Sequence, residues 1–197
     1  MDQNKNGSPV RSSFRNSEYL EEFIKICLIA AAIIVPVRFF IIQPFYVKGA
    51  SMEPNFYENE YLIVDELSYH FRAPERGEVV VFRYPKTEKR FLIKRVIGLP
   101  GDHVVIADSK IVISDVAHPD GFSISEASYL SPTVHTGNFE ITLGKDQYFV
   151  LGDNREVSLD SEKFGPIDAS QIVGRVAFRG LPLNRAKAFE APNYSNK

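Results

Sequence analysis

The sequence predicts an all-β domain, a barrel or a sandwich, preceded by one N-terminal transmembrane helix. Three observations carry this expectation. An apolar run, Ile26 to Val37, lies near the start between Lys25 and Arg38. After Lys48 no stretch of any length repeats its apolar residues at the 3.6-residue period of a helix. Short runs rich in Val, Ile, Phe and Tyr instead recur between turn residues, the spacing of a β-barrel or sandwich.

Residues 1 to 20 are a polar tail, and 21 to 44 are assigned to the anchor. The uninterrupted run of 12 apolar residues is short for a bilayer, which needs about 20. Phe23 to Phe40 gives 18, with Lys25 and Arg38 near its ends, where long cationic side chains reach back to the interface. Phe39, Phe40, Phe45 and Tyr46 have the character of an interfacial aromatic belt. A cleavable secretory signal and a buried or interfacial amphipathic helix are the alternatives. Lys5, Arg11, Arg15 and Lys25 precede or open the span, which places the N-terminus in the cytoplasm and the domain outside.

The domain covers 45 to 189. Tyr61 to Leu67, Glu78 to Tyr84 and Arg90 to Ile97 read as strands, the last ending at the turn Gly98-Leu-Pro-Gly101-Asp102. His103 to Ala107 and Lys110 to Ser114 read as a hairpin around Asp108-Ser109. Tyr148 to Leu151 and Gln171 to Arg179 complete the set. Residues 115 to 145 are less regular and read as an inserted loop-rich subdomain, and 190 to 197 as a polar, frayed tail.

Composition narrows the function. A net charge of -2 over 197 residues gives no footprint of nucleic-acid binding. Cys27 is the only cysteine, so there is no intramolecular disulfide and no cysteine metal site. The four histidines are scattered without ligand spacing. No metal and no cofactor is expected.

Three local patterns carry chemistry. Ser51 lies in Gly49-Ala50-Ser51-Met52-Glu53-Pro54, which taken alone also fits an ordinary turn. Lys94 lies within the apolar strand Ile93 to Ile97, where it also fits an edge-strand lysine that blocks aggregation. Gly152 to Ser161 follows a strand and also fits a solvated loop. Strand alternation places Lys94 with Val96 on one face and Ile93, Arg95 and Ile97 on the other.

In order and spacing the three patterns resemble the boxes of the bacterial type I signal peptidases. The segments are FYVKGASMEPNF (45 to 56), RFLIKRVIGLPGD (90 to 102) and YFVLGDNREVSLDSEKFG (148 to 165). Gly174 to Phe178 resembles the closing strand, and Arg38-Phe39 and Gln43-Pro44-Phe45 fit the end of the anchor.

The resemblance implies a membrane-bound serine endopeptidase that removes signal peptides from exported preproteins after small residues. Its partners are the preprotein signal peptide and the lipid bilayer, at the outer face of the cytoplasmic membrane. Ser51 would be the nucleophile and Lys94 its general base, with Ser158 orienting the lysine and Asp153 and Asp160 in support. Both acids must be engaged away from Lys94, and Arg95 is the natural partner. Phe45, Val47, Met52, Phe56, Leu92 and Ile93 match pocket-lining positions.

Two departures stand out. Gly49 replaces the serine that some members use at the oxyanion hole, leaving backbone N–H groups, chiefly that of Ser51. Asp160-Ser161 is followed by Glu162-Lys163 rather than arginine, so Lys163 or Arg155 must stand in if Asp160 is paired. Alternatives on related chemistry are a cytosolic self-cleaving Ser-Lys protease and an organellar inner-membrane peptidase. A membrane-tethered β-domain without catalysis is the alternative from another class.

Overall fold

The computed structural model describes residues 13–40, 42–130, 137–192 and 194, without the side chains of 13–18, 36–40, 42 and 88. The chain divides into two compact units, Met1–Ile41 and Ile42–Lys197.

The described residues of the first unit form one helix, α1 (Ser13–Phe40). It takes in eight residues, 13 to 20, that the sequence assigned to the polar tail. Glu18, Leu20, Glu21 and Glu22 are good helix formers, so the helix extends outward from the apolar run. Among the described residues no helix is long and apolar enough to cross a membrane. The expected span runs on to Phe40, into positions whose side chains lie outside the description.

Among its described residues the second unit holds twelve strands. In chain order they are β1 (Ile42–Tyr46), β2 (Tyr61–Asp65), β3 (Val79–Tyr84), β4 (Thr87–Gly98), β5 (His103–Ala107) and β6 (Lys110–Ser114). There follow β7 (Phe122–Ser123), β8 (Phe139–Thr142), β9 (Gln147–Leu151), β10 (Ile167–Asp168), β11 (Ile172–Leu181) and β12 (Lys187–Ala188). One short helix, α2 (Ser161–Phe164), lies between β9 and β10.

The larger sheet has the order β1-β2-β11-β3-β4-β9-β10, with β12 added to β11. Every pairing in it is antiparallel. It is strongly coiled. Phe45 on β1 and Phe91 on β4 meet edge to face at 5.5 Å, although three strands lie between theirs in the order. Strand β1 starts inside the segment assigned to the anchor. Pro44 can sit there because β1 is an edge strand, where one side of the ladder needs no N–H.

The smaller sheet, β7-β6-β5-β8, spans residues 103 to 142. Its hairpin turns at Asp108 and Ser109, with φ of 49° and 59°, the left-handed pair that a two-residue connection requires. The irregular segment from 115 therefore shares a sheet with that hairpin, because β7 pairs with β6 and β8 with β5. Residues 131–136 of the expected insertion lie outside the described residues.

Both faces of the larger sheet are covered. Val79 and Val81 of β3 enter one core with Met52, Phe56 and Leu62, while Val80 and Phe82 enter another with Val96 and Val150. A third core, around Ile97, Val104, Ile113 and Phe149, joins the two sheets. Burial of a side chain such as Phe82 or Phe149 contributes about 2–3 kcal/mol. Tyr194 packs against this third core, so the expectation of a frayed tail fails at that residue. An aromatic ring has enough apolar area to dock a chain end.

Candidate active site

Strand β4 sets Lys94 and Arg95 on opposite faces. Lys94 lies opposite Val80 of β3, and Arg95 is paired with Val79 on one side and Leu151 of β9 on the other. Lys94 is 2% exposed, among the most buried large side chains of the domain. Burial pushes its ammonium down to about 8, against the opposing pull of Asp160 and Asp153, while Arg90 and Lys163 help to lower it.

Ser51 stands on the loop between β1 and β2. The loop is pinned at its base by Val47 N–H to Glu60 O (2.9 Å) and Asn59 N–H to Val47 O (3.1 Å). Met52 and Phe56 anchor it in the core. The Ser51 carbonyl accepts the Asn154 N–H at 3.0 Å, which fixes the serine against the loop after β9. Its Oγ lies 2.6 Å from Lys94 Nζ. The amine also lies 2.8 Å from Ile93 O. The sequence thus expected two residues, 43 positions apart, that the fold brings into hydrogen-bond contact.

Close fit holds the third segment here. A Cβ on Gly152 would fall 2.1 Å from Ser158 Oγ and 2.5 Å from Ser51 O, so only glycine lets the two loops meet. Ser158 is fully buried, yet its Oγ has no hydrogen-bond partner among the described residues. The expected bond from Ser158 to Lys94 is therefore corrected. The backbone carbonyl of Ile93 takes that place, because it lies within the reach of a lysine curled back over its own strand.

Asp153 follows β9 by two residues, and Leu151 is already paired with Arg95. Its carboxylate meets the Arg95 guanidinium in a fork, 2.8 Å to Nε and 2.6 Å to the terminal nitrogen. Asp153 is thus engaged by Arg95, as the sequence demanded. Asp160 accepts the Gly152 N–H at 3.2 Å through one oxygen, and its other oxygen has no partner among the described residues. Neither proposed substitute forms an ion pair with it there. Lys163 Nζ donates to Ser158 O, and Arg155 pairs with Glu126 and donates to Gly152 O.

A cleft of about 470 Å³ opens at the serine and lysine. Phe45, Val47, Leu92 and Ile93 line it. Met52 and Phe56 do not. They sit fully buried in the core behind the loop, where apolar side chains are held by packing. Lys48, Lys89 and Arg90 add a basic rim. Sequence reasoning missed Asn55, whose amide donates to Asp153 and to Tyr129 O, both at 2.8 Å. It also missed Tyr129, whose ring lies under Arg95 at 4.0 Å. Neither carries a local signal, since their partners are 98 and 34 positions away.

Among the described residues no group of His, Cys, Asp or Glu could hold a metal ion. A coiled β-sheet that presents a hydroxyl to a buried amine at the wall of an open cleft has the build of a peptidase. The signal peptidase family, peptidase S26, matches residues 20–181, and the chain belongs to it. It is 35% identical to signal peptidase IB of Staphylococcus aureus (strain Mu50 / ATCC 700699) over 181 residues, 86% of this chain and 93% of that protein. To signal peptidase I of Leptolyngbya laminosa it is 33% identical over 185 residues, 90% of this chain and 87% of that one. The crystal structure of a signal peptidase I from Enterococcus faecalis V583 aligns over 53% of this chain and 97% of its own, with 30% identity and a TM-score of 0.45. The chain is an enzyme of the type I signal peptidase kind, whose work is cleavage of signal peptides.

Proposed function

We propose that cleavage runs on Ser51 as nucleophile and Lys94 as general base. The observation that carries this reading is the 2.6 Å approach of Oγ to a lysine that is 2% exposed. A free lysine is neutral about once in 2,500 molecules at pH 7, and one titrating near 8 about once in ten. The neutral amine takes the Ser51 proton as Oγ attacks the scissile carbonyl carbon. The resulting ammonium returns that proton to the departing amine, leaving an acyl-enzyme. Water then attacks the ester with Lys94 again as base, and the signal peptide leaves as a free acid. The Ser51 N–H is the chief oxyanion donor in this scheme, because Gly49 offers no hydroxyl.

An extended substrate would pair along the cleft and point alternate side chains inward. Phe45, Val47, Leu92 and Ile93 leave shallow apolar space, which favours small residues at two alternate positions. Helix α1 serves as the membrane anchor. From Phe23 to Ile29 and from Ala31 to Val35 its apolar residues run around the helix and are exposed, Phe23 by 63% and Ile29 by 62%, the pattern that lipid covers. The bias of Lys and Arg toward its start puts the catalytic unit on the extracytoplasmic side, where exported preproteins present their signal peptides.

The test is processing of a model preprotein with alanine at both specificity positions, by the full chain in detergent. Ser51→Ala and Lys94→Ala each abolish cleavage, and the double variant is scarcely worse, because the members of a catalytic unit are non-additive. Lys94→Arg also fails, since arginine stays protonated. Near-normal turnover by Lys94→Arg would end the assignment of Lys94 as base.

A further inference from the structure

We propose that Tyr129 and Tyr194 are positioning residues for the Ser51–Lys94 site, acting by clamping Arg95 onto Asp153. The inference rests on the Ser-Lys reading above. Arg95 is bound on every side. Its edges donate to both oxygens of Asp153 and to Gly77 O at 2.9 Å, and its face lies on the Tyr129 ring. A cation over an aromatic face is attracted to the ring, more strongly when both are dry.

Tyr129 is itself held. Its hydroxyl donates to Glu126 at 2.6 Å and accepts from the Tyr194 hydroxyl at 2.9 Å. The two rings meet edge to face, with centroids 6.4 Å apart. Glu126 pairs in turn with Arg155, which donates to Gly152 O at 3.0 Å. Tyr194, Tyr129, Glu126 and Arg155 thus form a run of four side chains that reaches the loop touching Ser51.

The contact of the C-terminal segment with the domain is built for closeness. A Cβ on Gly77 would fall 2.6 Å from Pro192 Cδ and 2.7 Å from Tyr194 Cε2. Gly77 is also the residue whose carbonyl receives Arg95. Asn55 completes the ring by joining Asp153 to the Tyr129 carbonyl from the Ser51 loop. One clamp thus touches all three segments that carry the site.

The chemical consequence follows from charge. Lys94 is faced by Asp160 and Asp153, which hold its proton, and by Arg90 and Lys163, which repel it. Arg95 neutralises Asp153 at close range. If Arg95 loosens, Asp153 acts on Lys94 with less compensation, and the amine keeps its proton to higher pH. Tyr194 stays protonated through the working range, because burial pushes its hydroxyl up to about 12. Its own titration therefore does not intrude.

The experiment uses the full chain in detergent and measures kcat/KM against pH from about 6 to 10 for Tyr194→Ala, Tyr194→Phe and Tyr129→Leu. A second readout is the pH dependence of reductive methylation at Lys94 in a Ser51→Ala background, which needs no turnover. Tyr194→Ala is expected to move the acidic limb up by about half a pH unit, about a threefold loss of activity below the limb, with the alkaline plateau little changed. Tyr129→Leu moves the limb the same way. Tyr194→Phe keeps the ring and moves it less. A limb that stays put in Tyr194→Ala, or a uniform loss at every pH, overturns the inference while leaving the dyad intact. Turnover retained by Ser51→Ala would overturn both.

Discussion

Lys94→Met is the substitution with the most to say about the buried amine. Methionine has much the same length and no charge. Lys94 titrates near 8 in the folded chain and near the ordinary lysine value of 10.5 once unfolded. The folded value is the lower one, so between these two pH values the unfolded chain binds more protons. Wild-type stability therefore rises with pH across that window, and the destabilising contribution is present in full below pH 8. A difference of 2.5 units corresponds to roughly 3 kcal/mol. Packing changes and lost hydrogen bonds shift the comparison by a constant, but only the amine makes it vary with pH. The stability difference between Lys94→Met and wild type, from denaturant unfolding of the full chain in detergent, should shrink by about 3 kcal/mol between pH 7 and pH 11. Common groups cancel in the difference. A difference that is flat with pH would refute a lysine whose proton affinity is lowered by burial.

Two further substitutions probe the frame. Gly152→Ala puts a methyl 2.5 Å from the Ser51 carbonyl and should cost kcat/KM about 100-fold through displaced geometry, read by preprotein cleavage. Gly180→Ala, with nothing nearer than Tyr61 O at 4.0 Å, is its control, and equal losses in both would sink the argument. Asp153→Asn leaves Arg95 buried without a countercharge and should destabilise by about 3–5 kcal/mol in thermal or denaturant unfolding. Recovery of most of that loss on adding Arg95→Met is expected, and a single-variant cost below about 1 kcal/mol would contradict the pairing.

Most strands were legible because their apolar runs end at strong turn formers, as at Gly98 to Asp102 and Asp108-Ser109. Strand β1 was not. It continues the apolar composition of the helix before it, and Pro44 masks it as a break unless its edge position is known. Lys94 was legible because a cation in an apolar strand needs a reason, and the pairing of Asp153 with Arg95 followed from the need to keep carboxylates from that amine. The buried places of Met52 and Phe56 were not legible, since a pocket wall and the core behind it select the same apolar side chains. Ser158 was misassigned in its partner because sequence gives proximity between segments but not the rotamer that decides which oxygen an amine meets. Asn55, Tyr129 and Glu126 were missed because nothing local marks a residue whose partner lies far along the chain.

The bonds that join the three segments of the site to one another span long stretches of chain. Ser51 and Lys94 are 43 positions apart, Asn55 and Asp153 are 98, and Met52 receives the Asp153 N–H across 101. Contacts of such separation cannot form until the intervening chain exists and its loops have closed, which is slow and comes late in folding. During synthesis Ser51 leaves the ribosome about a hundred residues ahead of Asp153, with no wall to aim it and no dry environment for its amine. Under the proposed Ser51–Lys94 assignment, silence of the nascent chain is thus a property of connectivity, and the hydroxyl would gain its reactivity only when the last of the three segments arrives.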